Sequence, residues 1–304
     1  MNPNPYPLFV GNLDFAPFPA MPTFPEGQQP RTFHSFWTYP LLHGNHPPDH
    51  IRKRLKSTLL FTGIGVVALK KLGVRIVLHA DALGAEIFSC LPYDEIHTTL
   101  AGFDFSRTSW VSGKMLAFPH EPLGSCHLDL DVWLKSPVVR DIIFNSTADV
   151  VAQSPEGMPG EYDKLRYRMF DMVGDTSFID MKKADNPRAY NCGVVRINRQ
   201  AAKDAYLRMY WRLVEEVQKT NQRAFENNYH IPNLIGEQWL LYQMCNEHNF
   251  SVDTFCKGIG CPIPGEIGYA HLLLGQKYEI DAKLTAILRN LSPETLEKIE
   301  RKFP

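Results

Sequence analysis

Residues 74–90 read VRIVLHADALGAEIFSC, an apolar run that ends at a carboxylate and passes into a helical pattern. Val74 to His79 has the composition of a buried strand, Asp81 follows its end, and Ala82 to Cys90 has helical periodicity. A strand, an acid and a helix in this order form the repeating unit of doubly wound α/β domains. We therefore predict an α/β fold with a mostly parallel mixed sheet flanked by helices.

The same alternation extends in both directions along the chain. Thr32 to Trp37 has strand character, and Asp49 to Leu72 is predicted to be a long helix that ends before Gly73. Farther on, Asn191 to Asn198 is predicted to be a strand and Gln200 to Thr220 an amphipathic helix. Such alternation predicts right-handed crossovers between parallel strands.

The organisation of the chain follows from its composition. Residues 1–30 are dense in proline and aromatic residues with almost no charge, which predicts an extended arm rather than a helix. Residues 31–280 carry the α/β pattern and are assigned to one catalytic domain. Residues 281–304 are predicted to be a helical tail, because Ser292-Pro293 has the form of a helix start.

Residues 125–137, SCHLDLDVWLKSP, contain two carboxylates in an apolar run. The alternation through Leu128 and Val132 predicts one strand, on which Asp129 and Asp131 point the same way and can converge on one hard cation. Carboxylates at the carboxyl end of a strand lie where α/β sheets bind ligands. The alternative is a surface strand end whose acids are merely solvated.

Several classes of function are disfavoured by composition. The formal net charge of -1 gives no basic face for nucleic acid or an anionic membrane. The six cysteines are scattered without a Cys-x-x-Cys pair, which disfavours a zinc site or disulfide framework and indicates a reducing compartment. The longest apolar stretch, Leu59 to Leu69, is too short to span a bilayer, and the amino terminus has no secretory pattern. A cytoplasmic location is predicted, with peripheral membrane contact left open.

Short motifs follow one another along the chain: Ser35-Phe36-Trp37, Leu91-Pro92-Tyr93-Asp94, Gly113-Lys114 and His127-x-Asp129-x-Asp131. In this order the chain resembles glycosyltransferases of the GT-A type, which have a single Rossmann-like domain with an Asp-x-Asp metal motif. Within that class it is similar to the retaining family that contains glycogenin and bacterial lipopolysaccharide galactosyltransferases. It also resembles an uncharacterised bacterial family of glycosyltransferase-like proteins, which has the four motifs named above.

The resemblance implies a metal site. Asp129 and Asp131 match the metal-binding motif, which in that family holds Mn²⁺ or Mg²⁺ with the nucleotide diphosphate. His271 matches a third metal ligand, and Lys277 matches a phosphate-binding lysine at the same spacing from the histidine. The intervening glycine, Gly275, lies one position later than in the family pattern.

The resemblance also implies a donor site for a nucleotide sugar, most simply a UDP-sugar. Residues assigned to the sugar and its reacting carbon are Asn191, Glu237 and Gln238. Residues assigned to the donor are Lys114, Ser35, Trp37 and, from its position after a strand, Asp81. Lys114 replaces the arginine usual in the family and so loses bidentate geometry.

The function implied is transfer of a hexose from a nucleotide-diphosphate sugar to a glycan or lipid-linked acceptor, with retention. Glu237 is either a general base or an electrostatic support for the sugar. Plain structural roles stay open for several of these residues: His271 as a core histidine, Asn191 as a strand cap, Trp37 as a core residue, and Glu237 and Gln238 as first-turn helix residues. The main alternative function is an inactive GT-A-like binding or scaffold protein. A nucleotidyltransferase is a third alternative, although such enzymes usually have a glycine-rich phosphate loop that this sequence lacks. The oligomeric state is left unassigned.

Overall fold

The fold is that of a computed structural model, which describes residues 9–11, 29–42, 47–102, 110–156, 165, 168–169, 189–219, 230–256, 268–272 and 278–304. The strands within these ranges are β1 (Phe9–Gly11), β2 (Arg31–Phe36), β3 (Arg75–Ala80), β4 (Glu95–His97), β5 (Cys126–Leu128), β6 (Val132–Leu134), β7 (Val150–Glu156), β8 (Ala189–Ile197), β9 (Val252–Thr254) and β10 (Tyr269–Leu272).

A mixed sheet with the order β4-β3-β2-β5-β8-β7-β9 forms the centre of the molecule. Strand β2 is parallel to β3 and β5, β3 is parallel to β4, and β7 is parallel to β9. Strand β8 is antiparallel to both of its neighbours, β5 and β7. The predicted α/β class with a mostly parallel mixed sheet is therefore confirmed.

The α-helices within the described ranges are α1 (Tyr39–Leu42), α2 (Pro48–Lys71), α3 (Ala82–Phe88), α4 (Val111–Ala117), α5 (Pro137–Asn145), α6 (Gln200–Lys219), α7 (His230–Leu234), α8 (Leu240–Glu247), α9 (Asp281–Leu291) and α10 (Pro293–Lys302). Local sequence explains several of their ends. Pro48 occupies the first turn of α2, where a missing N–H costs nothing, and Gly73 follows the helix with a φ of 71°. The Asp81 carboxylate caps α3 by accepting from the Gly84 N–H.

Helices cover both faces of this sheet. Along β3, Val77 belongs to a hydrophobic cluster with α4, α6 and α8, whereas Leu78 belongs to another with α2, α3, α9 and α10. Successive side chains of a strand point to opposite faces, so neighbouring residues contribute to separate cores. The carboxyl-terminal helices α9 and α10 thus pack into a core that they share with α2. Among the described helices, none is both long enough and apolar enough to cross a bilayer.

The prediction of one continuous strand through Asp129 and Asp131 is wrong. Strand β5 ends at Leu128 and β6 begins at Val132, and a turn closed by the Val132 N–H to the Asp129 carbonyl (3.0 Å) separates them. Strand β6 enters a second, antiparallel sheet with the order β1-β10-β6. The apolar alternation of residues 128–134 therefore comes from two short strands in different sheets. Phe9–Gly11, within the predicted amino-terminal arm, supplies the outer strand of this second sheet.

Candidate metal centre

The turn between β5 and β6 carries the two acids of the Asp-x-Asp motif. One ligand atom from each of Asp129, Asp131 and His271 lies within 4.8 Å of the other two. The side chain of Asp131 is 12% exposed and that of Asp129 35% exposed, so the group lies at the edge of the interior. Residues far apart in the sequence thus form one compact set of oxygen and nitrogen donors.

His271 reaches this turn because β10 pairs with β6. His271 lies opposite Val132, and the Leu272 N–H donates to the Asp131 carbonyl at 3.0 Å. The His271 Nε2 atom is 3.5 Å from Asp131 Oδ1. Antiparallel pairing in the second sheet therefore brings the imidazole beside the carboxylate.

Lys114 links this group to Glu237. Its buried ammonium contacts Asp129 Oδ1 at 2.9 Å and the Cys192 carbonyl at 2.8 Å, and it donates to Glu237 Oε1 as well. An ammonium has three N–H donors, so these contacts use all of them. Burial alone would lower the pKa of Lys114, but the Asp129 and Glu237 carboxylates raise it above its usual value.

Glu237 lies on a π-helical turn, Ile235–Trp239, between α7 and α8. Its carbonyl accepts the Tyr206 hydroxyl at 2.8 Å, which satisfies a backbone group in the widened turn. A Cβ on Gly236 would lie 3.1 Å from the Tyr210 ring, so glycine permits close packing of α6. Burial raises the pKa of Glu237 to about 7, because Lys114 offsets only part of that effect and Asp129 adds to it. Single-turn π segments are frequent at functional sites.

Ser35 reaches the site through His127. Its hydroxyl lies 3.1 Å from His127 Nε2, and His127 Nδ1 lies 3.7 Å from Asp129 Oδ1. Burial, helped by the nearby Lys114, holds the pKa of His127 well below its usual value. The imidazole is therefore neutral and adds no positive charge beside the carboxylates.

Other predicted donor residues already have contacts within the protein. The Asn191 side chain accepts from the Gly193 N–H at 2.9 Å and donates to Glu156 Oε1 at 3.3 Å. Asp81 caps α3 and accepts from the Thr38 N–H at 2.9 Å. Trp37 is buried and stacked on Tyr39, with ring centroids 5.2 Å apart. Contacts of these residues with a donor stay predictions.

Gln238 and Lys277 are the remaining residues predicted for the donor site. Gln238 is partly exposed on the π-helical turn, next to Glu237. Lys277, assigned to the phosphate, and Gly275 lie outside the described residues. Their roles stay predictions as well.

Gln153 and Gly193 contribute to the site although no motif in the sequence identifies their roles. Gln153 Oε1 lies 3.0 Å from His271 Nδ1, and both side chains are buried. A Cβ on Gly193 would lie 2.7 Å from His271 Cε1, so only glycine leaves room for the ring. The sequence gives one indication of Gln153, because this polar residue directly follows the apolar run Val150-Val151-Ala152 of a predicted strand.

The donor set suits a divalent cation. Carboxylate oxygens bind Mg²⁺, Mn²⁺ and Ca²⁺, and an added imidazole favours transition metals such as Mn²⁺. Asp129, Asp131 and Nε2 of His271 could hold such an ion from one side. The second nitrogen of the ring, Nδ1, faces Gln153.

Comparisons with known proteins give a family but no activity. No curated protein matches the chain in sequence. Among solved structures, the chain is similar to the inositol-1-phosphate CTP transferase from T. maritima, at 12% sequence identity and a TM-score of 0.37, with 86% of this chain and 98% of that chain covered. A likeness at this level does not identify an activity. The chain belongs to a family of unknown function, DUF6734, whose model matches residues 31–301.

Proposed function

We propose that the protein is a metal-dependent glycosyltransferase that moves a hexose from a nucleotide-diphosphate sugar to a glycan or lipid-linked acceptor. The observation that carries this proposal is the meeting of Asp129, Asp131 and His271 within 4.8 Å, at the end of β5. The order of motifs in the sequence supports the GT-A type. The α/β sheet supports it too, because such sheets bind nucleotides beyond the carboxyl ends of their strands.

The chemistry of glycosyl transfer explains why these residue types are needed. A diphosphate leaves while positive charge grows on the sugar carbon, so the leaving group needs the most stabilisation. A divalent cation held by Asp129, Asp131 and His271 would supply that stabilisation as a Lewis acid. The cation needs acidic ligands that are already oriented, and Lys114 holds Asp129 in place from the protein side.

The role on the sugar side of the reaction is assigned to Glu237 from the family resemblance, and its chemistry supports that role. Its carboxyl is buried, contacts Lys114 and has a pKa raised to about 7, near the pH at which a general acid or base works best. Lys114 contacts both Glu237 and Asp129, so it connects Glu237 to one of the proposed metal ligands. Retention of configuration is proposed from the family resemblance.

Binding is tested first, by the melting temperature of the protein with Mn²⁺, with UDP and with both. We expect a larger increase with both together than with either alone, because the diphosphate completes the coordination of the cation. The Asp131→Ala variant should lose the metal-dependent increase, and His271→Ala should show a smaller one. Asp204→Asn changes an exposed carboxylate on α6 and serves as the matched control that behaves as the wild type.

Turnover is tested in the same buffer by hydrolysis of a panel of UDP-, GDP- and CDP-sugars. Metal-dependent release of the nucleotide diphosphate, lost in Asp131→Ala, is the expected result. Metal-dependent binding without any hydrolysis or transfer would instead support the inactive binding protein. Equal Mn²⁺ affinity in the wild type, Asp131→Ala and His271→Ala would remove the proposed site.

A further inference from the structure

We propose that Gln153 is a positioning residue whose side-chain carbonyl accepts the Nδ1 proton of His271 and so directs Nε2 of that ring to the cation. The inference rests on the proposed metal site. Gln153 lies on β7, a strand that contributes none of the three proposed metal ligands.

The contacts of the two nitrogens of His271 differ. Nδ1 lies 3.0 Å from Gln153 Oε1, at hydrogen-bond distance, whereas Nε2 faces Asp131 Oδ1 at 3.5 Å. Only 3% of Gln153 and 7% of His271 are exposed, so water does not compete well for the bond. A neutral imidazole carries one proton, and a carbonyl acceptor at Nδ1 keeps the proton there. The lone pair of Nε2 then points toward the acids.

The backbone around Gln153 is shaped for this contact. Pairing of β7 with β8 is regular up to Ala152 and resumes at Ser154, with an irregular register between them. Gly193 lies on β8 within this irregular stretch, and a Cβ there would lie 2.6 Å from Gln153 Oε1 and 2.7 Å from His271 Cε1. Irregular pairing of this kind re-aims side chains beside functional sites. Gly193 therefore provides the space in which the amide and the imidazole meet.

The neutral charge of glutamine also matters at this position. Ligating histidines are commonly oriented by a carboxylate or a carbonyl at their second nitrogen. Asp129, Asp131 and Glu237 already place carboxylates in this region. An amide orients the ring without adding another negative charge to this buried group. A further buried charge would destabilise the folded protein when no metal is bound.

The first experiment measures Mn²⁺ affinity by calorimetry in full-length variants. Gln153→Met keeps the length of the side chain but removes the acceptor, and should weaken binding by about 10- to 100-fold. Gln153→Asn withdraws the carbonyl by one methylene and should weaken it too, with less disturbance of packing. Gln243→Met is the matched control, because Gln243 is also buried but bonds to Glu247 on α8. Its Mn²⁺ affinity should equal that of the wild type.

The second experiment reports the bonded nitrogen directly. In ¹⁵N-labelled wild-type protein loaded with ¹¹³Cd²⁺, a diamagnetic probe, His271 should show coupling of cadmium to Nε2 and retain its proton on Nδ1. Cadmium coupled to Nδ1, or Gln153→Met and Gln153→Asn with wild-type Mn²⁺ affinity, would overturn the role of Gln153. Unchanged Mn²⁺ affinity in His271→Ala alone would also overturn the role of Gln153. Unchanged affinity in both Asp131→Ala and His271→Ala would overturn the metal site itself, so the two failures are distinguishable.

Discussion

Two groups of charged side chains, each built around a buried glutamate, behave in opposite ways. The first, here the Arg31 cluster, consists of Arg31, Arg75, Glu95, Glu121 and His79. The second, here the acidic site, consists of Asp129, Asp131, His271, Lys114 and Glu237. The comparison shows how one protein lowers the pKa of one buried glutamate, Glu121, and raises the pKa of another, Glu237.

Glu121 in the Arg31 cluster is surrounded by donors. Arg31 reaches both of its oxygens, at 2.6 and 3.0 Å, and His79 Nε2 lies 2.9 Å from Oε1. Burial opposes the charge, but the hydrogen bonds from His79 and Arg31 lower the pKa of Glu121 to about 2. Glu121 is a charge that the fold satisfies completely, as a structural ion pair requires.

Among the residues that the structure describes, Glu237 in the acidic site has one cationic partner, Lys114, and shares it with Asp129. Burial therefore dominates and the pKa of Glu237 rises to about 7. In the five residues of the acidic site carboxylates outnumber the single lysine, and the nearby His34, with its pKa lowered to about 3 by burial, stays neutral. An excess of negative charge in a partly buried group favours a cation, whereas a balanced cluster does not.

The largest effect on stability is expected from Glu121→Gln. The change leaves the guanidinium of Arg31 without its buried carboxylate, and should lower the free energy of unfolding by about 3 kcal/mol at pH 7. Denaturation in urea measures this value. Mn²⁺ affinity should stay within about twofold of the wild type, and a large loss of affinity would mean that the two groups are not independent.

The pH dependence of that difference separates charge from packing. The folded pKa of Glu121 lies below its unfolded value, so its contribution is fully present above about pH 4.5 and disappears as the pH falls toward 2. The stability difference between the wild type and Glu121→Gln should therefore shrink to below about 1 kcal/mol near pH 2.5. A difference that stays constant from pH 7 to pH 2.5 would assign the loss to packing instead.

A smaller effect on stability is expected from Asp131→Asn in the acidic site. Asparagine keeps the shape of the side chain and removes repulsion from Asp129, so the free energy of unfolding in EDTA should change by less than about 0.5 kcal/mol. Mn²⁺ affinity should fall by at least about 30-fold, which is about 2 kcal/mol of binding free energy. A variant that unfolds readily but binds Mn²⁺ normally would make Asp131 a structural residue.

The sequence predicts the elements around both groups well, because their signals are local. The strand predicted from Val74 to His79 is Arg75–Ala80 in the structure. The helix predicted from Asp49 to Leu72 is Pro48–Lys71. Hydrophobic periodicity with Gly73 and Pro48 at the ends is enough for such assignments.

The geometry of the acidic site depends on pairing between distant segments and could be predicted only in part. The spacing of Asp129 and Asp131 indicated a shared cation, but the turn between them follows from β6 joining β10 in a second sheet. The π-helical turn under Glu237 depends on Tyr206 and Tyr210 from another helix. Gln153 has no motif, and its role requires the contact with His271.

The proposed metal site is tested most directly in a crystal of the full-length protein that is soaked in Mn²⁺ and measured at a wavelength where manganese scatters anomalously. We expect one strong anomalous peak about 2.2 Å from a carboxylate oxygen of Asp129, a carboxylate oxygen of Asp131 and Nε2 of His271. A well-diffracting soaked crystal with no peak among these three side chains, or with its strongest peak elsewhere, would contradict the proposed metal site.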